Sequence, residues 1–200
     1  MRKEVARILC FLPVLGQPRH AKRIAMLQQS GFNVEAIAFE RDYHKGRLPE
    51  CPTQLLGKIS QGRYLTRIFR LITVIPKVRR VIKNNDLVYA FGLDMALVSL
   101  VAGLGMTKPV ILEVGDIRKI QSSKNVIGGL VRIVDRFVVN RCKLLVVTAQ
   151  GFVDSYYRET LSIQTPTMVI ENKLEAIDTA GTVIKLSKES PVINRPLRIG

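Results

Sequence analysis

Apolar runs without clean alternation recur along the chain: VARILCF (5–11), NVEAIAF (33–39), DLVYAFG (86–92), PVILEVG (109–115), LLVVT (144–148) and TMVIEN (167–172). Runs of this length and composition suit strands covered on both faces. Helical patterns lie between them. Pro18 is placed to open a helix that HAKRIAMLQQS continues, and Gly31 suits the left-handed residue that closes one. In 62–84, Leu65, Ile68, Phe69, Ile72 and Ile75 line one helical face and Arg63, Arg67 and Arg70 another. Pro76 should kink or split that helix. MALVSLVAGLGM reads as an apolar helix, 128–143 as an amphipathic one, and AQGFVDSYYRETL as a third. The polar stretch 40–61 is expected to be a long surface loop with at most one short helix. Strands and helices in alternation predict an α/β layered domain on a parallel sheet.

After residue 175 the pattern changes. Residues 176–195 are mixed and polar, with no helical period, and PLRIG resembles the start of another strand. The expected organisation is one domain over 1–175, then a linker and the opening of a further domain over 176–200.

Composition narrows the class. Of 200 residues, 47% are apolar, enough for a real core. Lys and Arg number 31 against 16 Asp and Glu, a net charge of +15. Such a charge attracts nucleic acid, anionic lipid or phosphorylated substrates without choosing among them. Cys10, Cys51 and Cys142 form no metal-ligand spacing and no disulfide framework, so the reducing cytosol is the default compartment. The start, MRKEVARILCFLPVLG, resembles a signal peptide, but Glu4 and Arg7 interrupt its apolar run, and a first strand is the better reading. A span over 87–106 is opposed by Asp94 and three glycines, since a charge at mid-bilayer costs about 2.5–3.5 kcal/mol.

Ligands of open α/β sheets bind beyond the carboxyl ends of the strands. There the sequence places Gly16, Arg19, His20 and Lys22 after 5–11, and Asp94 after 86–92. Glu113, Asp116 and Arg118 follow 109–115, Thr148 follows 144–148, and Glu171, Asn172 and Lys173 follow 167–172. Each has a plainer role open to it. Gly16 suits a tight turn as well as close ligand approach. Arg19 and Lys22 oppose a helix dipole, as an anion site or a solvated face would. His20 suits a surface site, Asp94 a helix cap, Glu113 and Asp116 ion pairs with Arg118 or Lys119, and Asn172 a turn. The stripe Arg63, Arg67 and Arg70 suits a solvated face or contact with a membrane. Dinucleotide, P-loop and nucleophile-elbow fingerprints are absent from the sequence, and basic and aromatic residues do not interleave as in an RNA-binding sheet.

Four segments together resemble the N-terminal half of a group 1 (family 4-like) glycosyltransferase of GT-B architecture. They are PVLGQPRHAKRIAMLQQSGFNVEAIAF, DLVYAFGLDMALVSLVAGL, PVILEVGDIR, and LLVVTAQGFVDSYY with TMVIENK; order and spacing carry the likeness across about 5–173. The resemblance implies a Rossmann-like parallel sheet with helices on both faces, forming an acceptor-side domain. It places the donor site in a C-terminal domain that 176–200 only begins. It implies transfer of a sugar from a nucleotide-sugar co-substrate, with no other cofactor and no metal, to a cell-surface glycan or lipid-linked acceptor. Asp94 lies where relatives place a catalytic or acceptor-contacting side chain. Gly16, Arg19, His20, Glu113, Asp116, Arg118 and Asn172 become acceptor- or substrate-binding candidates. Arg63, Arg67 and Arg70 become membrane contacts, and the cytoplasmic face of the cell membrane the expected location, with a C-terminal domain or subunit as partner. A non-enzymatic basic module docking on an anionic membrane or a partner subunit remains the alternative. Nucleic acid, suggested by charge alone, is not expected as a partner.

Overall fold

The computed structural model describes residues 5–41, 48–59, 64–117, 121, 123 and 125–171. Seven strands form one sheet in the order β3-β2-β1-β4-β5-β6-β7, and every neighbouring pair is parallel. The strands are β1 (Arg7–Leu12), β2 (Asn33–Glu40), β3 (Thr53–Lys58), β4 (Leu87–Phe91), β5 (Val110–Val114), β6 (Leu144–Val147) and β7 (Thr167–Val169). The helices are α1 (Pro18–Gln29), α2 (Tyr64–Thr73), α3 (Ile75–Lys83), α4 (Leu93–Ala102) and α5 (Val126–Arg141), with a π-helix over Phe152–Thr160. The expected Rossmann-like α/β class is thus observed.

The chain winds outward from β1 to β3, then crosses back so that β4 lies on the other side of β1. Strand order therefore reverses between β1 and β4, the point in open α/β sheets beyond whose carboxyl ends ligands bind. β1 is central and carries no solvated face from Ile8 to Leu12. One face of the sheet packs α3, α4, α5 and the π-helix around Leu9, Phe11, Phe39, Met95 and Leu112. The other packs α1 through Ile24 against Ile8, Cys10, Leu12, Tyr89 and Phe91. Burial pushes the Cys10 thiol well above its ordinary range, and the Cys142 thiol up to about 12.

Two expectations change. Part of the loop expected over 40–61 is β3, an edge strand pairing with β2. Only Leu56 of its six residues is buried, so its sequence reads as polar loop. The helix expected over 62–84 is split at Val74, with Pro76 in the first turn of α3, as the proline demanded. α2 is mostly exposed: Ile68, Phe69 and Ile72 face outward, Phe69 with 70% of its surface exposed, and Arg67 and Leu71 are its half-buried positions among the described side chains. The expected linker over 176–200 lies outside the described residues.

Candidate active site

The rim at the strand ends is built from two glycine turns. Gly16 has φ +88° and ends the loop from β1 into α1; Gly92 has φ +94° and joins β4 to α4. Both conformations suit glycine, and both turns flank the point where strand order reverses. Past Gly16, α1 begins without a side-chain cap and without an acid in its first turn. Its positive end is thus unopposed by a local carboxylate, and Arg19 in that turn adds to it.

Glu113 explains how α1 tolerates this. It is the fourth residue of β5 and alternates toward the α1 face, while Leu112 and Val114 turn to the other core. Its side chain is fully buried. Oε2 accepts from Arg23 Nε at 2.8 Å and from the Tyr89 hydroxyl at 2.6 Å. Oε1 lies 3.7 Å from Arg19 Nε. Burial would lower the Arg23 guanidinium, but the bond and charge of Glu113 reverse this and hold it above its ordinary value. Burial, then the Glu113 charge, raises Tyr89. The carboxylate is taken up inside the fold as the counter-ion of α1. Its described charge partners, Arg19 and Arg23, lie about ninety positions earlier, while Arg118 and Lys119, the partners that the spacing of charges after VIL suggests, lie outside the described residues.

Arg19 is carried to the rim by that network. Its guanidinium lies against Gly115, where a β-carbon would fall 1.2 Å from Nη1. The same turn is held by Thr148, whose hydroxyl donates to the Gly115 carbonyl at 2.9 Å. Arg19, Gly115 and Thr148 thus meet over the ends of β5 and β6. Asp116 follows, exposed.

Asp94 sits in the first turn of α4, where a carboxylate suits the dipole. Its Oδ2 pairs with Arg67 Nη2 of α2. Its Oδ1 has no hydrogen-bond partner among the described residues. His20 is buried, its ring centroid 4.4 Å from that of Phe91, so it belongs to the core beneath α1 and not to the surface. Arg70, though exposed, also reaches a protein partner: Nη2 donates to the Leu56 carbonyl at 3.3 Å and crowds Gly57. Of the basic stripe, the two described members therefore reach protein partners, while the apolar positions between them face out. Arg63, Arg118 and Asn172 lie outside the described residues. The structure brings Gly16, Arg19 and Asp94 to the strand ends and draws His20 and Glu113 below it. It adds Arg23 and Tyr89, which the sequence pattern had not singled out.

No protein-family model matches the sequence. The succinoglycan biosynthesis protein ExoL of Rhizobium meliloti (strain 1021) is 27% identical over 203 residues, covering 97% of this chain and 50% of that protein. Among solved structures, the lipopolysaccharide outer core galactosyltransferase WaaB aligns with a TM-score of 0.60 at 14% identity, over 86% of this chain and 47% of WaaB. Anabaena Alr3699/HepE in complex with UDP and glucose aligns with a TM-score of 0.54 at 15% identity, over 85% of this chain and 45% of HepE. The chain spans about half the length of each. It is built on one Rossmann-like half of the GT-B architecture, the fold these glycosyltransferase neighbours share.

Proposed function

We propose that residues 1–175 form the acceptor-side domain of a GT-B glycosyltransferase, which passes a sugar from a nucleotide-sugar to a cell-surface glycan or lipid-linked acceptor. Its donor-side partner is a second domain or subunit. The observation that carries this is the rim itself: an uncapped helix N-terminus, Arg19 over Gly115, and Asp94 across the reversal of strand order. The role of ExoL in succinoglycan biosynthesis, and the UDP and glucose bound to HepE, support the same chemistry.

In this proposal the acceptor hydroxyl attacks the sugar's anomeric carbon as the nucleoside diphosphate departs. Charge grows on the leaving oxygens, and pre-placed donors at the rim stabilise it. Arg19 and the backbone N–H groups at the start of α1 are those donors, with Gly16 allowing close approach. Asp94 receives or orients the acceptor hydroxyl. Asp116, Arg118 and Asn172 hold further hydroxyls or phosphate. Lipid-linked acceptors are presented at a bilayer, so the proposal includes peripheral association with an anionic leaflet.

Calorimetric titration of UDP- and GDP-sugars into the protein together with its donor-side partner tests this. Specific binding of one of them is expected, weakened about tenfold by Arg19→Gln, equivalent to ~1.4 kcal/mol. Sugar transfer is expected to be lost in Asp94→Asn. The proposal fails if no nucleotide-sugar binds or is turned over by the complete assembly.

A further inference from the structure

Helix α5 has an apolar face that the described residues leave uncovered. Val126, Ile127, Leu130, Ile133, Val134 and Phe137 are all exposed, Val126 to 81%. They fall at i, i+1, i+4, i+7, i+8 and i+11, which is one stripe along about 16 Å of helix. The opposite side of α5 is well buried, through Gly128, Asp135, Val138 and Val139. The helix is also held firmly. Asn125 caps it by accepting from Gly128 N at 2.8 Å, and Arg132 donates to the carbonyls of Ser123 and Gln121 at 2.6 and 3.1 Å. The stripe is therefore presented by a fixed helix of the same layer in which α2 turns Phe69 outward.

Charge decides what covers it. Asp135, the one acid of α5, is fully buried. Arg136, Arg141 and Lys143 are exposed along the stripe's flank and end. Arg141 reaches over the Phe137 ring at 4.8 Å, so a cation stands at the edge of the apolar surface. A second copy of a chain of net charge +15 would bring these cations against each other. A donor-side domain would meet the rim beyond the strand ends, whereas this stripe runs the length of the helix on the outer side of the layer. A bilayer containing anionic lipid accepts the apolar stripe and the flanking cations together.

We propose that α5 is an interfacial helix that lies along an anionic membrane surface. This assigns a surface to the membrane partner named above and rests on that reading only for its purpose; the geometry is independent of sugar transfer. The test is sedimentation of the full chain with phosphatidylcholine vesicles with and without phosphatidylglycerol. Binding to the anionic vesicles is expected. The triple variant Leu130→Gln, Ile133→Gln, Phe137→Gln should lower the partition coefficient at least about tenfold. Arg136→Gln and Arg141→Gln should each lower it about fivefold, with the effect fading at high salt. All five positions are exposed, so circular dichroism and melting should match the wild type. Nucleotide-sugar titration of the triple variant should also be unchanged, which separates this surface from the rim. The proposal is overturned if the triple variant sediments like the wild type. It is equally overturned if the wild type ignores vesicles and forms a dimer that the triple variant breaks.

Discussion

Glu113 offers the sharpest test of how this fold is held. Replacing it with alanine leaves Arg23 buried without its counter-charge and the Tyr89 hydroxyl without its acceptor. Removing one member of a buried ion pair costs about 3–5 kcal/mol, and an orphaned buried hydroxyl adds ~1 kcal/mol. The sum, ~4–6 kcal/mol, approaches the whole stability of an ordinary domain, about 5–15 kcal/mol. Glu113→Gln keeps an oxygen for the tyrosine but not the charge, and about 2–3 kcal/mol should be lost. The assay is urea unfolding followed by far-ultraviolet circular dichroism, with stability taken from midpoint and slope. Arg23→Gln completes a cycle: the double variant should lose at least ~1.5 kcal/mol less than the two single losses combined. If Glu113→Ala stays within ~1 kcal/mol of the wild type at an unchanged slope, or if the cycle is additive, the pair is not what anchors α1.

Other residues make separate predictions. Gly115→Ala places a β-carbon where Arg19 lies, and the flexible guanidinium must leave; nucleotide-sugar affinity should fall about tenfold while stability stays within ~1 kcal/mol. Gly57→Ala meets both a φ of +101° and the Arg70 guanidinium, so thermal melting should report a loss of about 1–2 kcal/mol. Burial raises the Asp135 carboxyl against the bonds it accepts from Tyr156 and Gln121. The folded state therefore holds that proton more tightly than the unfolded chain, and stability falls as pH climbs out of the ordinary carboxylate range. Asp135→Asn keeps an acceptor for both donors; it should flatten that decline and raise the melting temperature at neutral pH.

The strands that bury both faces were legible because a two-sided burial leaves a continuous apolar run. β3 was not, because an edge strand with only Leu56 inside carries no such run. The two faces of α2 were legible as well, but a helical period does not say which face turns inward. The fold brings Asp94 to Arg67 and the Leu56 carbonyl to Arg70 from elsewhere in the chain, and Ile68, Phe69 and Ile72 are left outside. Likewise Glu113 announced itself as a charge ending an apolar strand. Its partners required the register that sets Phe91 beside it, with Tyr89 on the same face, and the crossing of α1 above. The cap at Asn125 was readable, as a side-chain acceptor three residues ahead of Gly128, and would have moved the start of α5 earlier.

Of the described strands, β1 is translated before the others and ends up inside the sheet, between β2 and β4. Arg7, at its start, bonds to Asp86, 79 residues later. At about 5–20 residues per second, synthesis takes roughly 4–16 s to deliver that second neighbour. For that interval the apolar run Ile8–Leu12 waits with one side unpaired, so the nascent chain is the form of this protein most exposed to chaperones and to self-association.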